Sequence, residues 1–385
     1  MRYLLFRMKR FCGFATGFVF FLSGILKLTD PVGAGLVMKE YFKFLHIGFM
    51  DTLSVPAGLT FALAETLIGA ALITGVWRKI SARCALALQG LFTILTLALV
   101  IFKPEMDCGC FGEAVHLTHG ETFTKNIVLL ALLLIYYIPA KYLGQTKRRK
   151  YVSFSVVSLS TVAFSIYSLL YIPMADFTDL RPGTAVNREI FTDKDEYKAV
   201  FIYEKDGKEE TFTLEDLPDS TWTFVRTETI AADDSENRPA QISICDTAGN
   251  YADSLMSRGR VMAVSLYKDN LSETELGKIN DFLDNAEAAG FRALLLAPGQ
   301  KPESRHSYSC DYKTLITLNR SNGGVTYFED GYIIRKWAKR TLPAPEELAM
   351  IAEEDPTDTF IGRDTRSSLA FQGFLLYVFA VMLLL

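Results

Sequence analysis

The sequence of 385 residues contains little charge: Asp, Glu, Lys and Arg make up 22% of it, whereas 50% of its residues are hydrophobic. The formal net charge is only -4, and the basic residues form no stripe of the kind that binds nucleic acid. Six cysteines in a chain of this length are too few for a small disulfide-stapled scaffold. The sequence is therefore neither that of a nucleic-acid-binding protein nor that of a small disulfide-stapled scaffold. The low charge and high hydrophobic content favour a membrane protein that carries a polar domain.

Long apolar runs are concentrated in residues 11–172 and at the C-terminal end of the sequence. About 20 apolar residues cross the hydrocarbon core of a bilayer as a helix. No small-x-small cleavage site follows the first run, so we expect a retained helix rather than a secretory signal. The sequence predicts six spans, over residues 11–29, 56–76, 84–102, 127–141, 151–172 and 369–385.

The distribution of Lys and Arg predicts the orientation of these spans. With the N-terminus in the cytoplasm, the short inner segments hold twelve Lys and Arg residues and the short outer segments hold five. This arrangement predicts four domains or segments: helices over residues 1–145, a fifth span over 151–173, an extracytoplasmic domain over 174–366 and a last span over 369–385. The loop that follows the third span is then also extracytoplasmic.

The polar residues 174–366 have the pattern of an α/β domain. The predicted strands are residues 199–203, 210–214, 223–230, 240–245, 260–267, 291–297, 324–328 and 332–337, and the predicted helices are 272–289 and 312–319. Residues 260–337 are predicted to form a strand, a helix, a strand, a helix and a hairpin. This is the order of a thioredoxin-like domain. However, residues 268–272, where a thioredoxin holds its CxxC motif, contain no cysteine, and residues 321–324 lack the proline that precedes the thioredoxin hairpin. We therefore expect this domain to bind a client protein without dithiol chemistry of its own.

Cys108 and Cys110 flank a single glycine in the loop between two predicted spans. A disulfide across one intervening residue closes a strained ring, and a strained, exposed disulfide is easily reduced. An extracytoplasmic position also allows such a bond to form. The pair therefore fits electron transfer better than a structural role.

Two further sets of residues leave alternatives open. His116 and His119 follow Cys110, and two thiolates with two imidazoles can hold zinc or copper. Cys245 and Cys310 are the remaining thiols of the α/β domain, and they either form a structural disulfide or stay buried and inert.

Glu65 lies inside the second predicted span, where an acidic side chain costs roughly 2.5–3.5 kcal/mol on insertion scales. Such groups usually face the interior of a helical bundle and have a partner. Lys27, near the outer end of the first span, is within reach of it. The alternative is a Glu65 that is protonated or hydrogen-bonded to threonines.

Four sequence segments, taken together, resemble the DoxX/MauE family of bacterial integral membrane proteins. The segments are residues 21–31 (FLSGILKLTDP), 64–65 (AE), 107–112 (DCGCFG) and 122–126 (TFTKN). The resemblance covers about residues 10–140 and implies a membrane α-helical fold with a four-helix bundle, here joined to an α/β thioredoxin-like domain. MauE-type members are associated with maturing a disulfide-rich amine dehydrogenase subunit. The resemblance therefore implies extracytoplasmic thiol–disulfide chemistry at the two loop cysteines, supported in the membrane by Glu65, Lys27 and Asp30.

The sequence thus predicts a multi-pass protein of the bacterial inner membrane that acts as a thiol–disulfide oxidoreductase or maturation factor. Its expected partners are the lipid bilayer and an extracytoplasmic client protein, and a quinone is a suitable lipid-soluble electron acceptor. The alternative is a non-enzymatic assembly or scaffold protein of the cell envelope, whose cysteines are structural or bind a metal.

Overall fold

The computed structural model describes residues 2–104, 106–138, 146–186, 197–205, 208–213, 222–231, 240–268, 271–299 and 307–384. Its helices are α1 (Arg2–Thr29), α2 (Pro31–Phe44), α3 (Ser54–Thr74), α4 (Arg78–Phe102), α5 (His119–Tyr137), α6 (Arg148–Leu170), α7 (Ser254–Ser257), α8 (Glu273–Ala288), α9 (Tyr312–Leu318), α10 (Pro345–Glu353) and α11 (Pro356–Leu384). Its strands are β1 (Cys110–Glu113), β2 (Tyr197–Lys205), β3 (Lys208–Thr213), β4 (Thr223–Ala231), β5 (Ile244–Cys245), β6 (Arg260–Ser265), β7 (Arg292–Ala297), β8 (Ser307–Cys310), β9 (Gly324–Glu329) and β10 (Tyr332–Trp337).

Within the described residues, five helical segments are long and apolar enough to cross a membrane. They are Phe6–Thr29, Gly48–Thr74, Arg78–Phe102, Arg148–Leu170 and Pro356–Leu384. The prediction of a membrane protein with several spans is thereby confirmed. The predicted fourth span falls on α5, which is not among the five because polar residues fill its first two turns; residues 139–141 of that prediction lie outside the described part of the chain.

Helices α1 and α3 approach each other closely because small residues lie at their contact. A Cβ atom built on Gly24 of α1 would lie 2.6 Å from the backbone nitrogen of Thr66 in α3. A Cβ atom built on Gly69 of α3 would lie 2.7 Å from the carbonyl oxygen of Gly17 in α1. Small residues of this kind allow membrane helices to pack backbone against backbone. The contact brings Lys27, near the end of α1, opposite the Glu65 carboxylate of α3.

The chain between the first two predicted spans, residues 30–55, is mostly helical. It forms α2 and a 3₁₀ helix, Gly48–Leu53. Asp30 caps α2, since its Oδ1 accepts a hydrogen bond of 2.8 Å from the backbone nitrogen of Gly33. Pro31 occupies the first helical position, where its missing N–H is no loss.

The described part of the polar region contains two sheets, with strand orders β10-β9-β6-β7-β8-β5 and β3-β2-β4. In the larger sheet β6 and β7 are parallel, as are β7 and β8, whereas β9 runs antiparallel to β6. We refer to β5–β10 with α7–α10 as the α/β domain. The predicted hairpin over residues 199–214 forms β2 and β3, and β4 completes the smaller sheet instead of extending the larger one. The strand predicted over 240–245 is shorter, because only its last two residues pair with β8.

Alternate residues of β6 face two separate apolar cores, as the period of a strand requires. Val261 and Ala263 belong to the core on the side of α9. Met262 and Val264 belong to the core formed with α8 and α10. The capping box predicted for α8 is present, since the backbone nitrogen of Ser272 donates to Glu275 and the backbone nitrogen of Glu275 donates to the Ser272 hydroxyl.

Candidate functional site

Cys108 and Cys110 lie in a tight turn between α4 and β1. Gly109 and Gly112 have positive φ angles, of 58° and 63°, a conformation that side chains with a Cβ atom rarely adopt. The backbone nitrogen of Gly112 donates a hydrogen bond of 3.2 Å to the carbonyl oxygen of Gly109. A Cβ atom on Gly109 would also collide with the side chain of Val37 in α2. The glycines of the Cys-Gly-Cys-Phe-Gly segment therefore let the two thiols pack closely against α2.

Two hydroxyl groups from different helices hold the backbone of this turn. The Tyr41 hydroxyl of α2 donates a hydrogen bond of 3.0 Å to the carbonyl oxygen of Cys108. The Ser23 hydroxyl of α1 donates one of 2.5 Å to the carbonyl oxygen of Cys110. Both cysteines are free thiols; Cys108 is only 5% exposed, whereas Cys110 is half-buried. Cys110 is therefore the thiol more open to a partner. Burial also raises the pKa of the Cys108 thiol.

Both thiols line a cavity of about 260 Å³ among the helices. Its wall is mainly apolar and includes Phe20 of α1, Met38 of α2, Phe61 of α3, Leu95 of α4 and Leu129 of α5. A mostly apolar cavity with a few convergent polar groups is the usual form of a small-molecule site. The dithiol is therefore exposed to whatever ligand enters this cavity.

Two residues of the cavity wall are also exposed at the surface of the helices. Leu45, just after α2, and Leu91, on the spanning helix α4, both line the cavity, and they are 45% and 40% exposed. The apolar wall of the cavity is thus continuous with apolar side chains at the surface of the helices.

A buried ion pair forms another part of the cavity wall. Lys27 Nζ lies 2.6 Å from Glu65 Oε2, and it also donates a hydrogen bond of 3.3 Å to the Ser23 hydroxyl. Since the Ser23 hydroxyl in turn donates to the Cys110 carbonyl oxygen, the two charges are connected to the dithiol turn. The pairing of Lys27 with Glu65, which the sequence put within reach, is present.

Three polar side chains also line the cavity: Gln89, Thr96 and Asn126. None of them was predicted from the sequence to be a site residue. Gln89 Nε2 donates to the carbonyl oxygen of Asn126 at 3.1 Å, and Asn126 Nδ2 donates to the Thr96 hydroxyl at 3.1 Å. The signal was available, since Gln89 is a polar residue within a span and Asn126 belongs to one of the family-like segments.

Asp30, predicted to support the site within the membrane, instead lies at the joint with the α/β domain. Its Oδ2 forms an ion pair of 2.8 Å with Arg320 Nε, and Arg320 Nη2 lies 3.2 Å from Glu113 Oε1. Burial raises the pKa of the Glu113 carboxyl, against the opposing effect of Arg320. Neither Arg320 nor Glu113 was identified from the sequence, because no local pattern marks them.

The structure does not assemble the alternative metal site. His119 Nε2 contacts the carbonyl oxygen of Met106 at 2.9 Å, and His116 Nδ1 lies 3.6 Å from Asp107 Oδ2 at an exposed position. Within the described segments, no three His, Cys, Asp or Glu side chains converge where they would hold a metal ion.

Cys245 and Cys310 lie on the neighbouring strands β5 and β8, and both are free thiols. They are not directly opposite each other, because Cys310 pairs with Ile244 and Cys245 pairs with Ser309. Burial raises the pKa of the Cys310 thiol to about 12. Cys310 is buried, whereas Cys245 is half-buried, so the choice between the two alternatives stays a prediction.

Two family models match parts of the chain. Residues 197–232, which contain the smaller sheet, match a domain of unknown function, DUF8463. Residues 4–139, which contain α1–α5 and the dithiol turn, match MauE, described as methylamine utilisation protein MauE. No curated protein and no solved structure matches the chain. The resemblance drawn from the sequence motifs is thus confirmed, since the MauE family model matches residues 4–139, the helical region of this protein.

Proposed function

We propose that this protein is a membrane thiol–disulfide oxidoreductase that matures extracytoplasmic client proteins through Cys108 and Cys110. The observation that carries the proposal is the position of the two free thiols on the wall of an apolar cavity. The half-buried Cys110 offers the client a sulfur to exchange with, while the buried Cys108 faces the interior. The known name of the family, methylamine utilisation protein MauE, is compatible with such an accessory role.

The reaction has two balanced halves. In the first, Cys108 and Cys110 give two electrons and two protons to an acceptor and join in a disulfide. In the second, a client thiolate attacks the sulfur of Cys110, the Cys108 thiol is released, and a second client thiol displaces Cys110 from the mixed disulfide. The client gains a disulfide, and the protein returns to its dithiol form.

A quinone is the acceptor that best fits the cavity. It is apolar, it dissolves in the bilayer, and it takes up two electrons with two protons to become a hydroquinone. The cavity of about 260 Å³ suits a head group rather than a whole lipid, with the tail leaving past Leu45 and Leu91. The Lys27 ammonium, with three N–H groups, is a donor on the wall that would hold a quinone oxygen.

The α/β domain would dock the client. Its parallel β6 and β7, with the β9–β10 hairpin beside β6, support a thioredoxin-like fold. The loop just before α8, residues 266–272, contains no cysteine, so the domain supplies recognition and not dithiol chemistry. Excess Lys and Arg on the predicted inner segments supports an extracytoplasmic position for both the domain and the dithiol.

The proposal is tested with purified, fully reduced protein mixed anaerobically with a short-chain quinone. We expect one hydroquinone to form per chain while Cys108 and Cys110 disappear from the pool of free thiols, as measured by absorbance and by mass spectrometry after alkylation. Cys108→Ser and Cys110→Ser should abolish the reaction. Cys84→Ser, which removes an exposed thiol of α4, is the matched control and should react like the wild type.

The same variants separate the proposal from a non-enzymatic assembly role in the envelope. In cells, the Cys110 thiolate of Cys108→Ser should attack a client disulfide in the reverse of the second half-reaction. The mixed disulfide should accumulate, because no Cys108 thiol is present to release the client. If the purified protein reduces no quinone and Cys108→Ser neither traps a client nor changes client oxidation, the protein is not an oxidoreductase and the assembly role remains.

A further inference from the structure

The guanidinium of Arg320 belongs to the α/β domain but is buried against the helical region. Its Nε and Nη2 atoms meet Asp30 and Glu113 at 2.8 and 3.2 Å, and its Nη1 donates to the carbonyl oxygen of Ile316 at 3.0 Å. The side chain is only 6% exposed. The Tyr267 hydroxyl donates a hydrogen bond of 2.7 Å to the Arg320 carbonyl oxygen and so fixes the backbone behind it.

Burial distinguishes this cluster from an ordinary surface ion pair. Removing one partner of a buried, hydrogen-bonded pair leaves an uncompensated charge, whereas an exposed pair contributes little. The chain offers a direct comparison, because Lys313 and Glu40 also join the α/β domain to α2. Their contact is 3.9 Å long, and the Lys313 side chain is 80% exposed.

The two carboxylates that Arg320 holds are each part of an element that supports the dithiol. Glu113 is the last residue of β1, the strand that begins with Cys110. Asp30 caps α2, whose Val37 packs on Gly109 and whose Tyr41 holds the Cys108 carbonyl oxygen. One guanidinium therefore fixes both supports of the turn.

Helix α2 itself is shared between the two parts of the protein. Val32 and Leu36 pack against an apolar core of the α/β domain. Val37, Met38 and Tyr41, on the other side, line the dithiol cavity. Any change in the docking of the α/β domain is thus transmitted to the cavity wall through α2 as well as through β1.

We propose that Arg320 is a positioning residue, through which the α/β domain sets the accessibility and reactivity of the Cys108–Cys110 pair. This inference rests on the proposed oxidoreductase function for its purpose, but the linkage itself is measured without turnover. It assigns the α/β domain a second role beside docking the client, since the domain also holds the dithiol in its reactive geometry.

The test compares the alkylation rate of Cys110 in purified full-length variants, with each thiol followed separately by peptide mass spectrometry. We expect Arg320→Gln and Glu113→Gln to change this rate about ten-fold, since each removes a charge-assisted hydrogen bond from the support of β1. Arg320→Lys, which keeps the charge, should restore part of the wild-type rate. Lys313→Gln, the exposed control, should leave the rate unchanged.

Two other thiols report on folding in the same samples. The buried Cys310 should stay unreactive, as its raised pKa requires, and the exposed Cys84 should react as in the wild type. A reactive Cys310 in Arg320→Gln would mean that the fold of this variant is disturbed. The Cys110 rate in Glu113→Gln then decides the test, because this variant leaves the Arg320–Asp30 pair in place. Unchanged Cys110 rates in Glu113→Gln would overturn the inference.

Failure of this inference can be told apart from failure of the proposed function. A wild-type protein that reduces no quinone removes the oxidoreductase but leaves the alkylation comparison intact. Conversely, if quinone is reduced and Cys110 reacts equally in wild type and Glu113→Gln, only the positioning role is lost.

Discussion

At the scale of single residues, burial separates two cysteines that are only two positions apart in the chain. Cys108 is packed under Tyr41 and its thiol pKa is raised, whereas Cys110 at the start of β1 is half-buried. The chemical difference between identical side chains therefore comes from their surroundings. This is the asymmetry that a disulfide carrier needs, with one sulfur offered to a client and the other kept inside.

The ion pair of Lys27 and Glu65 gives a prediction at this scale. Lys27→Met leaves the Glu65 carboxylate buried without its partner and should destabilise the protein by about 3–5 kcal/mol. The double variant Lys27→Met with Glu65→Leu removes both charges and should recover much of that loss. Thermal unfolding of the wild type, Lys27→Met, Glu65→Leu and the double variant in one detergent measures the coupling.

The cycle needs a control of similar size outside the pair, and Lys313→Met with Glu40→Leu serves because that pair is exposed. If the Lys27 and Glu65 losses simply add, the two residues do not stabilise each other and the ion pair has no structural role.

Some of the site residues could be predicted from the local sequence and others could not. Glu65 and Lys27 are charges within apolar runs, where such residues are rare, so their meeting follows from the sequence. Arg320 is one of 40 Lys and Arg residues, and its partner Asp30 lies 290 positions away in the chain. No local pattern relates two residues at that separation; only the docked fold brings them together.

At the scale of elements, the dithiol turn depends on a backbone conformation that favours glycine. Gly109→Ala should destabilise the turn by about 1–2 kcal/mol, because its φ of 58° is left-handed and its Cβ atom would collide with Val37. We expect Cys108 to lose its protection from alkylation in this variant, as measured by peptide mass spectrometry.

Gly120→Ala is the matched control for that substitution. Gly120 lies in the first turn of α5, its φ is not positive, and a Cβ atom there would meet nothing within 4 Å. It should leave the alkylation of Cys108 unchanged. Equal protection of Cys108 in Gly109→Ala and Gly120→Ala would show that the turn tolerates a side chain.

Helix α2 shows why an element can be recognised only in part. Asp30 and Pro31 are a typical start signal for a helix. The helix beyond them was not predicted, because α2 buries apolar residues on two faces, with Val32 and Leu36 against the α/β domain and Val37 against the dithiol. A helix with two buried faces lacks the single apolar stripe by which an amphipathic helix is identified.

At the scale of the whole molecule, the order of strands in the α/β domain can be predicted from local sequence patterns. The contact between this domain and the helical region is much harder to predict. Buried strands such as β6 and β7 are continuous apolar runs, and the Ser272 capping box marks the helix between them. The placement of β2–β4 in a separate sheet could not be predicted, because an antiparallel hairpin can equally extend a neighbouring sheet.

The proposed orientation gives the prediction at this scale. Lys313→Cys, in the α/β domain, should react with a membrane-impermeant maleimide in intact spheroplasts, since that position is 80% exposed. Lys79→Cys, an exposed position in the first turn of α4, should react only after lysis. The reverse pattern would place the α/β domain and the dithiol in the cytoplasm and would contradict the proposed function.

Two apolar residues of the cavity wall, Leu45 and Leu91, are exposed at the surface, and this has a consequence for how the protein is handled. Under the proposed function, molecules would reach the sulfurs by two routes, one through lipid and one through water beside Cys110. A small charged reductant such as free glutathione is excluded from the lipid route, so it would meet the pair only beside Cys110. A detergent tail, by contrast, enters as easily as a natural occupant, and nanodiscs are therefore the setting in which the lipid route remains selective.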